Sequence, residues 1–499
     1  MSTQGLPFWS EARVALLAFA GSLALYVGTG SPLMETYDTA PNAYLPVSVL
    51  LDGDLAFGPL EVPFMFVWAA ERPGGKKVLV DVQRWEQGVP GTDMSVRTFF
   101  ERGLLQFMGP RYFLVETRRE RAETGEPLYA SAFGPMAGLM ALPAVSVAFI
   151  AGADLGDRAV VYGAAKWTAA LLIAGSVALV FLTAAGFLGR WRAFALAMIY
   201  GLGSCVWALS SQALWQQTPE LFFLSLGACC LVRANATWVG AMVAGLAFAA
   251  AAACRPTAAL VGISAIGYLL TMAERRHLFV FLLAAAPIGL GLVAYNFYYF
   301  GTPLNFGQLA AGALVAKAKT GSDELWQTPL WLGAAGLLVS PSRGLLVYTP
   351  WLAAAFVGGF LAWKDAQYAK LRFLTLAVPT LWLPAFIWFD WWGGWAYGYR
   401  PIVDSAPLLA ILSIPVIDYL FARPVWCMAF AAAVGWSVFV QILGVTVYQP
   451  SAWNAAVIDP RGTLGDIDQL AHRHRLWSFR DWQIGFLIGE LAERGGAKR

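Results

Sequence analysis

Thr168-Ala-Ala-Leu-Leu-Ile-Ala-Gly-Ser-Val-Ala-Leu-Val-Phe-Leu-Thr-Ala-Ala-Gly-Phe-Leu188 contains no charged residue. A bilayer core takes about 20 apolar residues in helical form, so this run reads as the heart of a membrane span over 160–188. Its Ala, Gly, Ser and Thr residues suit helices that pack closely in lipid. Working outward, similar runs lie near 13–30, 193–210, 219–233, 238–253, 257–272, 278–296, 345–363, 373–389, 403–421 and 425–447. The expectation is an all-α integral membrane protein, a polytopic bundle of about eleven transmembrane helices forming a single membrane domain over 1–499. Composition agrees: 58% of residues are hydrophobic and 13% charged, against roughly a quarter charged in soluble chains.

Charge sets an orientation. With the N-terminus inside, the turns predicted on the inner side carry Arg190, Arg192, Arg233, Arg275, Arg276, Lys364, Lys370, Arg372 and Arg423, as the positive-inside rule asks. The parity holds only if Gly134–Gly152 does not span. That apolar segment contains Pro135 and Pro143 and reads as a helix lying at, or dipping into, the outer interface. Three segments are more than turns. Residues 31–158 form a long outer first loop holding most of the acidic residues, and short juxtamembrane helices are expected along it, because so long a structureless loop is unusual. Residues 297–344 form a second outer loop, and 449–499 a polar outer tail. Arg13 is a lone early basic residue before the first apolar run, without a convincing cleavage site, so the first helix is read as retained.

Other classes are excluded. A net charge of +3 with no basic run argues against a nucleic-acid partner. The five cysteines (205, 229, 230, 254 and 427) lie in or beside apolar runs without metal-ligand spacing, and three histidines are too few for a His-based site. No internal repeat of fixed period appears, which counts against a repeat-built transporter.

Residues able to carry chemistry gather on the predicted outer side. The first loop opens Glu35-Thr-Tyr-Asp38-Thr-Ala-Pro41. A carboxylate at the membrane surface can act as a general base, and the residues alone also read Asp38 as the cap of a helix starting at Pro41. The turn Ser210-Ser-Gln-Ala-Leu-Trp-Gln-Gln-Thr-Pro-Glu220 offers Trp215, Gln216 and Gln217 to a sugar, while Pro219-Glu220 reads as a helix start. Arg255, in Ala-Cys-Arg-Pro-Thr, is either a phosphate ligand or an interface cation. Arg343, in Ser340-Pro-Ser-Arg-Gly344, is a second candidate of the same kind. The densest patch is Trp388-Phe-Asp-Trp-Trp-Gly-Gly-Trp-Ala-Tyr-Gly-Tyr-Arg-Pro401, followed by Asp404. An interfacial aromatic belt explains scattered Trp; it explains less well the mixture of Asp390, Arg400 and Asp404 among Trp391, Trp392, Trp395 and Tyr399. Tyr295-Asn-Phe-Tyr-Tyr-Phe-Gly-Thr-Pro303 is a weaker patch of the same type.

The acidic loop after the first apolar run, together with Tyr129-Ala-Ser-Ala-Phe-Gly-Pro-Met-Ala-Gly-Leu-Met-Ala-Leu-Pro143, resembles the GT-C superfamily of membrane glycosyltransferases, in particular its protein mannosyltransferase and aminoarabinose-transferase branches. The resemblance covers the layout of about 10–300 and is motif-like only in patches. It implies an inverting glycosyltransferase of the bacterial inner membrane that moves a sugar from a polyprenyl-phosphate donor to an acceptor hydroxyl on a cell-envelope glycan or glycolipid, at the outer face. It also implies Asp38 as the base; Arg255 and Arg343 stay the candidate ligands of the donor phosphate, with Glu35 among the candidate substrate contacts. For a second acidic residue, Glu101, Glu116 and the Asp52/Asp54 pair compete. Some members need a divalent cation, and no motif here decides the metal. The alternative is a flippase for a lipid-linked glycan, which would use the same aromatic and Arg residues without bond cleavage.

Overall fold

A computed structural model describes residues 8–30, 37–71, 77–89, 92–122, 124–233, 237–272, 274–455 and 465–496. Among them, five helices are long and apolar enough to cross a membrane: Glu11–Gly28, Arg158–Ala185, Arg275–Phe300, Ala366–Ile387 and Pro424–Thr446. A sixth possible span is the pair Arg400–Leu412 and Ile414–Ala422, bent by 58° at its break.

The expected eleven-helix count is therefore corrected. The runs at 219–233 and 238–253 become helices of 17 residues, Gln217–Arg233 and Trp238–Cys254, about 25 Å long at 1.5 Å per residue against a hydrocarbon core of about 30 Å. The run at 193–210 breaks after a 13-residue helix, Arg190–Leu202, at Gly203. The run at 257–272 holds a 14-residue helix, Ala259–Met272. The run at 345–363 is interrupted at Thr349-Pro350, leaving a 12-residue helix, Ala353–Lys364. Proline and glycine break these runs where apolar composition alone reads as continuous.

The helix ends sort into two groups. At one, Arg233 pairs with Glu11 at 2.9 Å and donates to the Leu182 carbonyl at 2.6 Å. Phe187 meets Tyr368 with ring centroids 5.8 Å apart, and Arg192 pairs with Asp418 at 2.8 Å. Open pairs of this kind contribute little stability, but they fix which ends lie together. Neighbouring helices approach closely at glycines: a Cβ on Gly245 would fall 2.2 Å from the Phe281 carbonyl oxygen, and one on Gly358 would fall 1.8 Å from that of Leu412.

The all-α expectation is corrected in the first loop, where two three-stranded antiparallel sheets form. Their strands are β1 (Ala56–Phe57), β2 (Phe66–Glu71), β3 (Lys77–Val80), β4 (Leu105–Pro110), β5 (Leu114–Glu120) and β6 (Pro127–Ser131), in the orders β1-β6-β5 and β3-β2-β4. Aromatic and β-branched residues favour such half-buried pleats. Trp68 lies opposite Val80 on one side and Phe107 on the other, and Phe57 lies opposite Tyr129. Phe57, Phe66, Trp68, Phe99, Phe113 and Tyr129 build a separate core under the strands. The expected short helices are present on either side: Ala40–Leu51 before the sheets, Pro135–Leu139 and Leu142–Ile150 after them. Tyr44 joins the two layers, packing edge-on against Phe64 at 5.1 Å and Tyr162 at 5.9 Å. β5 is clasped to the end of Arg275–Phe300 through Arg118 Nε to the Tyr298 carbonyl, 3.0 Å.

Candidate functional site

Asp38 lies in a short 3-10 turn, Tyr37–Thr39, between the first long helix and Ala40–Leu51, whose second residue is Pro41. Arg400 Nη1 donates to its Oδ2 at 2.7 Å, and the Tyr112 hydroxyl donates to its Oδ1. The Arg400 guanidinium is held in turn by the Gly393 carbonyl at 2.8 Å and by the Trp215 ring, 4.9 Å from its centroid. Four distant segments thus meet at one corner, at the end of the helices opposite Arg233 and Arg192. The corner is neither sealed nor fully open: the side chains of Arg400 and Asp38 are 18% and 16% exposed. Each carboxylate oxygen has two lone pairs, so Asp38 keeps acceptor capacity while its two partners fix its orientation.

The aromatic turn forms the wall of this corner. Gly393, Gly394 and Gly398 take positive φ of 72°, 62° and 53°, which lets the chain fold back tightly. Arg343 is buried inside that fold. Its nitrogens reach the Trp392, Ser342 and Gly394 carbonyls at 3.0, 2.8 and 3.2 Å and Asn454 Oδ1 at 2.8 Å, so this candidate phosphate ligand already braces backbone. Tyr399 is also buried, accepting from the Cys205 amide at 3.2 Å and the Thr349 hydroxyl at 2.9 Å. Trp391 packs between Trp392 and Trp477.

The tail covers the aromatic turn. Asp468 accepts from Trp392 Nε1 at 2.9 Å and Asp466 from Trp395 Nε1 at 3.0 Å. Lys319, from the helix Gly307–Thr320, bridges Asp390 at 2.6 Å and Asp468 at 2.9 Å. Burial works to lower the Lys319 pKa, but the two carboxylates prevail and hold the ammonium above its ordinary range. Replacing Lys319 with Met leaves those carboxylates facing each other unneutralised. The expected loss is about 1–3 kcal/mol, read as a lower Tm together with faster proteolysis within 465–482.

On the underside, Arg255 pairs with Asp404 and reaches the Pro401 carbonyl from two nitrogens at 3.2 and 3.3 Å. Gln216 and Gln217 are buried in the turn beneath the corner, where Trp215 Nε1 and Gln216 Oε1 are buried without a hydrogen-bond partner. Tyr295 belongs to another wall. It lines a small pocket with Ser131, Gly134, Asn296 and Gln308 and packs on Tyr299, centroids 4.9 Å apart. Glu35 lies outside the described residues.

The competing acidic residues do not touch Asp38. Glu101 and Glu116 are exposed. Asp54 accepts from Tyr299. Asp52 and Glu61 gather round Arg121, and burial pushes both carboxyls above their ordinary range. Sequence reasoning missed Tyr112, Lys319, Asp466 and Asp468 as partners of the corner. It also read Glu220 only as a helix start, although that side chain is fully buried. Among the described residues, no group of three or more His, Cys, Asp or Glu side chains is placed to hold a metal ion.

No family model and no curated protein matches this chain.

Proposed function

We propose that this protein is a membrane glycosyltransferase that moves a sugar from a polyprenyl-phosphate donor to an acceptor hydroxyl on a glycan or glycolipid. The observation that carries the reading is the Asp38–Arg400 pair, which ties the loop after the first long helix to the aromatic turn 362 positions away. A clamped carboxylate, a guanidinium and several indole rings at one end of apolar helices suit a substrate with sugar hydroxyls and a lipid tail. In this account Asp38 takes the proton of the acceptor hydroxyl. The acceptor oxygen bonds to the anomeric carbon as the bond from that carbon to the phosphate oxygen breaks, and the lipid phosphate leaves with the electron pair. Arg255 supplies positive charge to that phosphate, a fixed electrostatic role. We place the corner at the outer face of a bacterial inner membrane, with the N-terminus cytoplasmic, because Arg190, Arg192, Arg233, Arg372 and Arg423 crowd the opposite end.

The test is transfer of labelled sugar by protein in nanodiscs, given a polyprenyl-phosphate sugar and a glycolipid extract. The expected product carries the sugar with its anomeric configuration inverted. Donor movement between leaflets without any transfer would instead make the protein a flippase.

A further inference from the structure

Glu220 stands in the first turn of Gln217–Arg233. It is fully buried, and neither of its carboxylate oxygens has a hydrogen-bond partner. It lies within electrostatic reach of Asp404 and Arg255, and the Cys254 thiol lies within its own. Arg255 makes no hydrogen bond to it: Nη1 lies on Asp404 and the Pro401 carbonyl, and Nη2 on that same carbonyl. If all three groups were ionised, this dry cluster would carry a net charge of −1, and an uncompensated buried carboxylate is among the most costly groups a fold can hold. One positive charge is missing. A metal ion is a poor candidate, since the guanidinium already faces the same carboxylates and no ligand group of sufficient size exists among the described residues. A proton needs no coordination shell.

We propose that Glu220 is held as a neutral acid beside the Arg255–Asp404 pair, and that Arg255 exchanges Asp404 for an anionic phosphodiester with uptake of one proton. The proposal rests on the donor-phosphate reading above. Arg255 is reachable where Asp404 is not: their side chains are 11% and 1% exposed. Arg255 Nε and Asp404 Oδ1 are buried without partners, so the pair is not saturated. Ala253 and Pro256, on either side of Arg255, line the cavity that also holds Tyr295 and Asn296.

The charges balance. Before binding, neutral Glu220, Asp404 carboxylate and the guanidinium sum to zero. The phosphodiester brings one negative charge and takes the guanidinium. Asp404, released in dry surroundings, gains a proton from solvent, and the sum is zero again. Only an O–H bond is made. Affinity then rises as pH falls, by up to about tenfold per pH unit.

The test is calorimetric titration of the intact protein, in phosphatidylcholine nanodiscs, with a polyprenyl-phosphoryl sugar, in two buffers of different ionisation enthalpy between pH 6.5 and 8.5. The expected result is one proton taken up per donor bound. Asp404→Asn is expected to bind more tightly and without pH dependence, whereas Glu220→Gln, a neutral amide for a neutral acid, still takes up one proton. Donor binding without proton uptake in the wild type overturns the exchange and leaves the donor reading standing, and this measurement does not depend on either variant folding. A Glu220→Gln variant that alters the proton count, or wild-type binding that depends on sodium, overturns the neutral Glu220. Competition by phosphatidylglycerol with the same proton count assigns the site to a lipid headgroup and overturns the donor as its occupant. Absence of any binding overturns both this proposal and the donor-phosphate reading.

Discussion

Asp38→Asn lowers sugar transfer by about 10²–10⁴-fold, the usual contribution of a positioned acid or base, while donor binding stays near wild type. The amide keeps the size and shape of the carboxylate. Its oxygen still accepts from Arg400 or Tyr112, the two groups that hold Asp38 in place, so the corner should keep its shape. What disappears is basicity: the amide cannot take the acceptor proton. In barrier terms the loss is about 3–5 kcal/mol, all of it in turnover. If Asp38 served only to anchor the aromatic turn, the same substitution would instead weaken substrate binding and leave turnover of bound donor near wild type.

Arg343→Ala is expected to have the largest effect on stability, about 3–5 kcal/mol. The side chain is fully buried and holds three carbonyls and Asn454 in the tightest part of the aromatic turn. Truncation takes a donor from each of these acceptors, leaves Asn454 Oδ1 and the Trp392 carbonyl without the one that Arg343 supplied, and opens a void beneath Trp453, whose ring lies 5.5 Å from the guanidinium. Arg343→Lys restores only part of the loss, because a single ammonium cannot reproduce the planar fork. The measurement is thermal unfolding in detergent beside donor binding. A variant that unfolds normally yet no longer binds donor would give Arg343 the phosphate role that its hydrogen bonds argue against.

Some of this was legible in the sequence. The uncharged run ending at Leu188 announces a helix able to cross a membrane, and the crowding of Asp390, Arg400 and Asp404 among Trp and Gly marks the aromatic turn as unusual. The number of long helices was not legible, because apolar composition does not reveal where Gly203, Pro256 or Pro350 ends a helix. β2 was missed because it is a short apolar run at the edge of a mixed-charge stretch, and β5 because four of its seven residues are charged and read as polar surface. The meeting of Asp38 with Arg400 and Tyr112 depends on tertiary packing, for which one sequence carries no distance. Arg343 and Arg255 look alike in sequence, since each is a lone cation beside Pro or Gly. Burial separates them: one is enclosed by carbonyls, the other is partly reachable and paired with an acid. Glu220 has the ordinary look of an acidic residue at a helix start, and only its enclosure makes it conspicuous.

The most direct test of the account is single-turnover transfer by wild type and Asp38→Asn at matched donor occupancy in nanodiscs. The account predicts transfer by the wild type and a loss of at least about a hundredfold in the variant. Near-normal transfer by Asp38→Asn would contradict it.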